Sequence, residues 1–155
     1  MIIENAEIED INQLTELRLA YLKEDYGKLD KDDIKKISQD LPGYFKKNLN
    51  QNIFCYLIKD KEEIIACAFL LVIEKPVSPA FITGKTGMVL NVFTKPAYRH
   101  RGYAKMIMEK LLQDAVEKNL SVVELKSTED GYRLYKSVGF TDEMSKYHSM
   151  KWYRP

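Results

Sequence analysis

The chain predicts an α/β (α+β) fold: a mixed, mostly antiparallel central sheet flanked by helices, in one domain spanning residues 1–155. Three observations carry that reading. Ile53 to Ile58 and Ile64 to Ile73 are continuous apolar runs joined by the charged turn Lys59-Asp60-Lys61-Glu62-Glu63, the pattern of an antiparallel hairpin covered on both faces. From Ala104 onward, Ile107, Met108, Leu111, Leu112 and Ala115 recur at three- and four-residue steps, which places one apolar helical stripe toward a sheet. Ser121 to Leu125 then follows the strand Met88 to Thr94 across that helix, and such a crossover makes the two strands parallel.

The remaining elements fall around this centre. Met1 to Glu4 reads as a short opening strand, and Asp10 is placed to cap a helix whose inward positions are Ile11, Leu14, Arg18, Tyr21 and Leu22. Gly27 ends it. Asp30 to Asn50 forms a second helical region carrying Ile34, Ile37, Leu41, Phe45 and Leu49, with Pro42 expected to kink or divide it. Lys75 to Gly87, with two prolines and two glycines, is a long connection between strands. After Leu125, Asp130 to Ser137 reads as a short helix ended by Gly139, and Tyr147 to Tyr153 as a closing strand.

Composition narrows the function classes. A chain of 155 residues buries on the order of 70% of its unfolded surface, enough for one core. With 24 Lys+Arg against 23 Asp+Glu, it lacks the basic excess of a phosphate-tracking surface, so no nucleic-acid partner is expected. No stretch approaches the ~18 apolar residues of a membrane span, and the amino terminus lacks a secretory pattern; no membrane partner and a cytoplasmic location are expected. Cys55 and Cys67 lie in apolar runs without metal-ligand spacing, so no metal is expected. Gly84-Lys85-Thr86 is not a nucleotide-binding P-loop, because position 79 is Pro79 and a strand follows.

The informative stretch is Thr94-Lys95-Pro96-Ala97-Tyr98-Arg99-His100-Arg101-Gly102-Tyr103-Ala104. Pro96 stops the preceding strand, and a helix opens just past Gly102. The first amides of a helix lack intrahelical acceptors and the aligned peptide dipoles place partial positive charge there, so an anion is stabilised. Gly102 lets a ligand approach the backbone, and Arg99, His100, Arg101 and Lys105 surround it with basic side chains. A diphosphate suits such a site.

Arg99-x-x-Gly102-x-Ala104 resembles the Arg/Gln-x-x-Gly-x-Gly/Ala signature of the GNAT superfamily of acetyl-CoA-dependent N-acetyltransferases. The lead-in Pro96-Ala97-Tyr98-Arg99 and the later Leu134-Tyr135-Lys136-Ser137-Val138-Gly139-Phe140, similar to the family's Leu-Tyr-x-x-x-Gly-Phe segment, extend the likeness over Met88 to Phe140. The resemblance implies the GNAT fold, in which the parallel strand pair splays apart and admits the pantetheine arm of acetyl-CoA. It implies cofactor contacts from Val92, Phe93 and Thr94 on the strand, and from Arg99, His100, Arg101, Gly102, Tyr103, Ala104 and Lys105 at the diphosphate. Thr128 stands where many relatives carry an Asn that touches the pantetheine.

The same resemblance implies transfer of an acetyl group to a small-molecule or peptide amine, with Tyr135 as the general acid facing the leaving sulfur. The chain departs from the pattern in one respect: positions where many relatives place a strand carboxylate hold Leu90 and Asn91. Asn91 is therefore either a water-positioning group or a structural hydrogen-bonder, and Glu24 or Asp25 from the first helix is an alternative base. A GNAT-like module that binds acyl-CoA without turnover is the competing reading. Homodimers are common in the family, and the acceptor, whether polyamine, antibiotic, amino acid or protein amino terminus, is left open.

Overall fold

The computed structural model describes residues 1–155. Five strands form one sheet in the order β1 (Ile3–Asn5), β2 (Ile53–Asp60), β3 (Glu63–Glu74), β4 (Lys85–Thr94) and β5 (Val122–Glu124). The first four pair antiparallel and the β4–β5 pair is parallel, as the helical crossover requires. Helices α1 (Ile11–Tyr26) and α2 (Lys31–Asn48) precede the β2–β3 hairpin. Helix α3 (Tyr103–Glu117) makes the crossover, and the short α4 (Tyr132–Ser137) follows β5.

The uninterrupted apolar character of β2 and β3 is explained by two cores, one on each face of the sheet. Cys55, Leu57, Cys67 and Phe69 point to the side where α1 and α2 supply Ile11, Leu14, Leu17 and Phe45. Their strand neighbours Tyr56, Ile58, Ala66, Ala68 and Leu70 point to the other side, where α3 supplies Ile107, Met108 and Leu111. Alternate residues of one strand thus bury against different helices.

Three expectations require correction. Helix α2 runs unbroken from Lys31 to Asn48 through Pro42, so the proline does not divide it. Proline removes the bond that the Ser38 carbonyl would accept, but Ser38 is exposed and water can take that role, while Phe45 anchors the helix beyond it. Asp10 precedes α1, but its carboxylate accepts from the Glu7 amide at 2.8 Å and pairs with Lys59 at 2.8 Å, closing a 3-10 turn rather than capping the helix amides.

The expected closing strand at Tyr147–Tyr153 does not form. Tyr147, Met150, Trp152 and Tyr153 are all exposed. Alternating apolar residues become a strand only against a ladder, and β5 contributes three residues, too short an edge to set a register. No helix is long and apolar enough to cross a membrane.

Candidate functional site

The β4–β5 pair joins at Thr86–Val122, Gly87–Val123 and Met88–Glu124 and then stops. Strand β4 continues to Thr94 with β3 as its one strand partner, so its edge from Val89 onward faces an opening between the two parallel strands. Packing is close in the middle of the paired segment: a Cβ on Gly87 would lie 2.8 Å from Leu70 Cδ1 and 3.0 Å from Leu120 Cδ1. The expected splay is present.

A bulge interrupts β4 along that open edge. Cys67 pairs with Phe93 and Phe69 with Leu90, so Asn91 and Val92 together oppose a single β3 residue. Asn91 takes φ 55°, a left-handed conformation that asparagine tolerates better than most residues. Its side chain is buried and committed within the protein: Oδ1 accepts from Arg18 Nη1 at 3.4 Å and Nδ2 lies 3.7 Å from Cys67 Sγ. The Cys67 thiol in turn lies 3.6 Å from the Asn91 carbonyl, and burial pushes its pKa up to about 12, so it stays protonated and inert.

Beyond β4, Pro96–Tyr98 forms a short 3-10 turn, and the chain reaches α3 through His100 at φ 64° and Gly102 at φ 81°. The Arg99 amide bonds Pro96 and the Met106 amide bonds Gly102, but the six amides from His100 to Lys105 have no backbone acceptor. A Cβ placed on Gly102 meets nothing within 4 Å. The result is an open cradle of N–H groups at the positive end of a helix, suited to a diphosphate.

The basic side chains around the cradle are not equivalent. Arg99 pairs with Glu24 at 2.6 Å, donates to the Thr94 carbonyl at 2.8 Å and lies over the Phe93 ring, so it ties α1 to the end of β4. Arg101 reaches the Ala97 carbonyl at 3.3 Å and stacks near Tyr98. His100 and Lys105 are exposed. Glu24 is therefore held by an arginine, and Asp25 lies near Tyr21, whose pKa it helps to raise after burial.

On the far side of the opening, Tyr135 projects from α4 with its ring edge-on to Phe140 at 6.0 Å. Burial first, and the neighbouring Tyr21 second, push its pKa up to about 12. The ring occupies space that only a glycine at position 131 allows, since a Cβ there would lie 2.7 Å from Tyr135 Cε2. Thr128 closes the turn before α4, its hydroxyl accepting from the Gly131 amide at 3.2 Å. Its hydroxyl serves the turn.

Residues 11–140 match the model of the Acetyltransferase (GNAT) family. The chain belongs to that family. A predicted acetyltransferase from Clostridium acetobutylicum, whose crystal structure was determined with acetyl-CoA, superposes with a TM-score of 0.83 at 27% identity, covering 97% of this chain and 95% of that one. A GCN5-related N-acetyltransferase from Ralstonia eutropha JMP134 gives a TM-score of 0.80 at 21% identity over 96% of this chain and 97% of that one. A ribosomal-protein-alanine N-acetyltransferase from Brucella melitensis biovar Abortus 2308 gives 0.68 at 17% identity, covering 97% and 100%. The last two likenesses establish the fold alone. No curated protein sequence matches the chain.

In this GNAT-family protein the amide cradle follows the open edge of β4 directly in the chain, and Tyr135 lies on α4 beyond β5. Two contributors carried no expected role. Gly131 governs the room available to Tyr135, and its signal was the four-residue spacing to that tyrosine. Arg18 reaches the bulge from α1, and its signal was a charged side chain at an inward helical position. No group of His, Cys, Asp and Glu side chains is disposed to hold a metal.

Proposed function

We propose that the protein is an acetyl-CoA-dependent N-acetyltransferase that acts on a primary amine by direct attack within a ternary complex. The observation that carries this reading is the run of six acceptor-less amides, His100 to Lys105, at the start of α3, beside the unpaired edge of β4. The cradle fits the diphosphate, with His100, Arg101, Gly102, Tyr103, Ala104 and Lys105 holding it. Backbone groups of Val92, Phe93 and Thr94 suit the amides of a pantetheine arm, which would extend the sheet where β5 turns away. Thr128 offers a hydroxyl on the opposite wall, and Arg99 supports the cradle by bracing α1 against Thr94.

Acetyl-CoA supplies an activated carbonyl carbon and a thiolate leaving group. Beside it, the bulge at Asn91–Val92 leaves main-chain groups outside the regular β3 register, suited to stabilising charge on a carbonyl oxygen; one such bond is worth ~3 kcal/mol. The acceptor nitrogen must be neutral to attack, although an ordinary amine with pKa ~10.4 is mostly protonated at pH 7. One proton therefore leaves to solvent before attack. As the C–N bond forms and the C–S bond breaks, a second proton leaves the nitrogen and sulfur gains one.

Tyr135 is the group assigned to the sulfur side. With its pKa raised to about 12, the phenol remains a donor throughout the working pH range, which favours hydrogen bonding to the departing sulfur over complete prior transfer. Asn91 holds the bulge in shape. Binding of acyl-CoA without turnover is the second reading, favoured by the absence of a carboxylate on β4 at Leu90 and Asn91. Thermal stabilisation by acetyl-CoA together with CoA release on adding amines supports the enzyme; stabilisation without release supports the binding module; neither overturns both.

A further inference from the structure

Arg18 is a cation at the bulge whose hydrogen-bond partner within the protein is the neutral side-chain amide of Asn91. It lies on α1 at a half-buried position, and its guanidinium reaches Asn91 Oδ1 at a long 3.4 Å. None of the ion pairs of the molecule includes it; the nearby Glu24 belongs to Arg99 instead. A guanidinium removed from bulk water ordinarily finds a carboxylate or several hydrogen-bond acceptors, because its five donors and its charge are otherwise poorly solvated.

Its surroundings are laid out for a ligand's end group. Tyr21 lies one turn further along α1, and Tyr44 of α2 is close enough for the Arg18 charge to favour ionisation of both phenols, opposing the burial that raises them. Tyr21 in turn neighbours Tyr135 across the opening. Arg18 therefore stands on the α1 face of the bulge, whereas α3 packs on the opposite face of the sheet. The α1 side of the bulge therefore carries one guanidinium with two phenols within range of its charge.

We infer that Arg18 selects the acceptor by pairing with a carboxylate, so that the substrate is an amino acid: a small primary amine that carries its own carboxylate a few bonds from the nitrogen. The fork of the guanidinium matches a carboxylate through two parallel hydrogen bonds, and Tyr21 and Tyr44 can add neutral donors. The same charge disfavours polycationic acceptors such as polyamines, since like charges in a partly desolvated site repel. This assignment rests on the acyl-transfer reading above and names its acceptor class.

The test measures CoA release at saturating acetyl-CoA for amino acids, for the α-amide and the decarboxylated amine of each, and for spermidine. Calorimetric binding of the same compounds to the CoA-loaded protein provides the second readout. At least one amino acid is expected to exceed its own amide about 100-fold in kcat/KM, mostly through KM, because an unpaired guanidinium is left behind by the amide. Arg18→Gln should bring the pair within about threefold while leaving acetyl-CoA affinity intact, and Arg18→Lys should restore part of the preference.

Equal use of acids and amides, preference for spermidine, equal loss on both in Arg18→Gln, or no binding of any amino acid to CoA-loaded protein each overturns the assignment. Failure to bind acetyl-CoA overturns instead the acyl-transfer reading on which it stands.

Discussion

Gly131 and Tyr135 share space: a methyl group on Gly131 would lie 2.7 Å from the edge of the Tyr135 ring. Gly131 itself has φ −83°, an ordinary conformation for any residue, so the requirement is for room and not for torsional freedom. The sequence at the start of α4 thereby sets the position of the Tyr135 phenol.

Gly131→Ala should therefore displace the ring without disturbing the amide cradle. Turnover is expected to fall by about tenfold or more, since small misplacements of a reacting group are costly, while the Kd for acetyl-CoA changes little. Steady-state kinetics alongside calorimetry checks this; unchanged kcat would mean that Tyr135 does not act where α4 places it.

Substitution at Gly102 should give the opposite split. Its φ of 81° costs an L-residue about 1–2 kcal/mol, and the added Cβ projects into the open space of the cradle. Gly102→Val is expected to weaken acetyl-CoA binding at least about tenfold, equivalent to ~1.4 kcal/mol, with only a modest fall in Tm. Retained affinity would place the diphosphate elsewhere.

Asn91 separates a backbone role from a chemical one. Asn91→Ala keeps the left-handed φ of 55° but removes the side chain that suits it, so a stability loss of about 1–2 kcal/mol is expected with an unchanged pH–rate profile. Asn91→Gly should recover the torsional part of that loss. A shifted profile in both variants would return Asn91 to the proton path.

Alkaline stability reports on Tyr135. Its folded pKa of about 12 exceeds the ordinary phenol value of 10.0, so below pH 10 both states hold the proton and the group does not change the balance. As pH rises through that interval the unfolded chain releases its proton first, and stability falls by up to about 2–3 kcal/mol as pH approaches the folded value. Tyr135→Phe should therefore lose less stability than the parent between pH 9 and 11, by ~1 kcal/mol in denaturant titrations. Equal losses would show that the phenol is not shielded in the folded state.

Much of this organisation is written locally. The apolar steps of α3 and the proline–glycine punctuation before it predicted the helix start, and its cradle of free amides follows from helix geometry at that point. The paired apolar runs of β2 and β3 likewise predicted a hairpin buried on two faces. By contrast, alternation at Tyr147–Tyr153 looked like a strand and did not become one, because alternation names a face but supplies no partner.

The chain on its own established the order of elements up to α4, the helix start just past Gly102 and the family to which these motifs belong, since each depends on residues a few positions apart. Tertiary structure alone decided where β4 loses its partner, that Arg99 is spent on Glu24, that Arg18 meets no carboxylate, and that Gly131 yields its space to Tyr135. Those relations join residues far apart in sequence or depend on how rings and charges pack. Periodicity can say that a side chain points inward; only the packed fold says what it meets there.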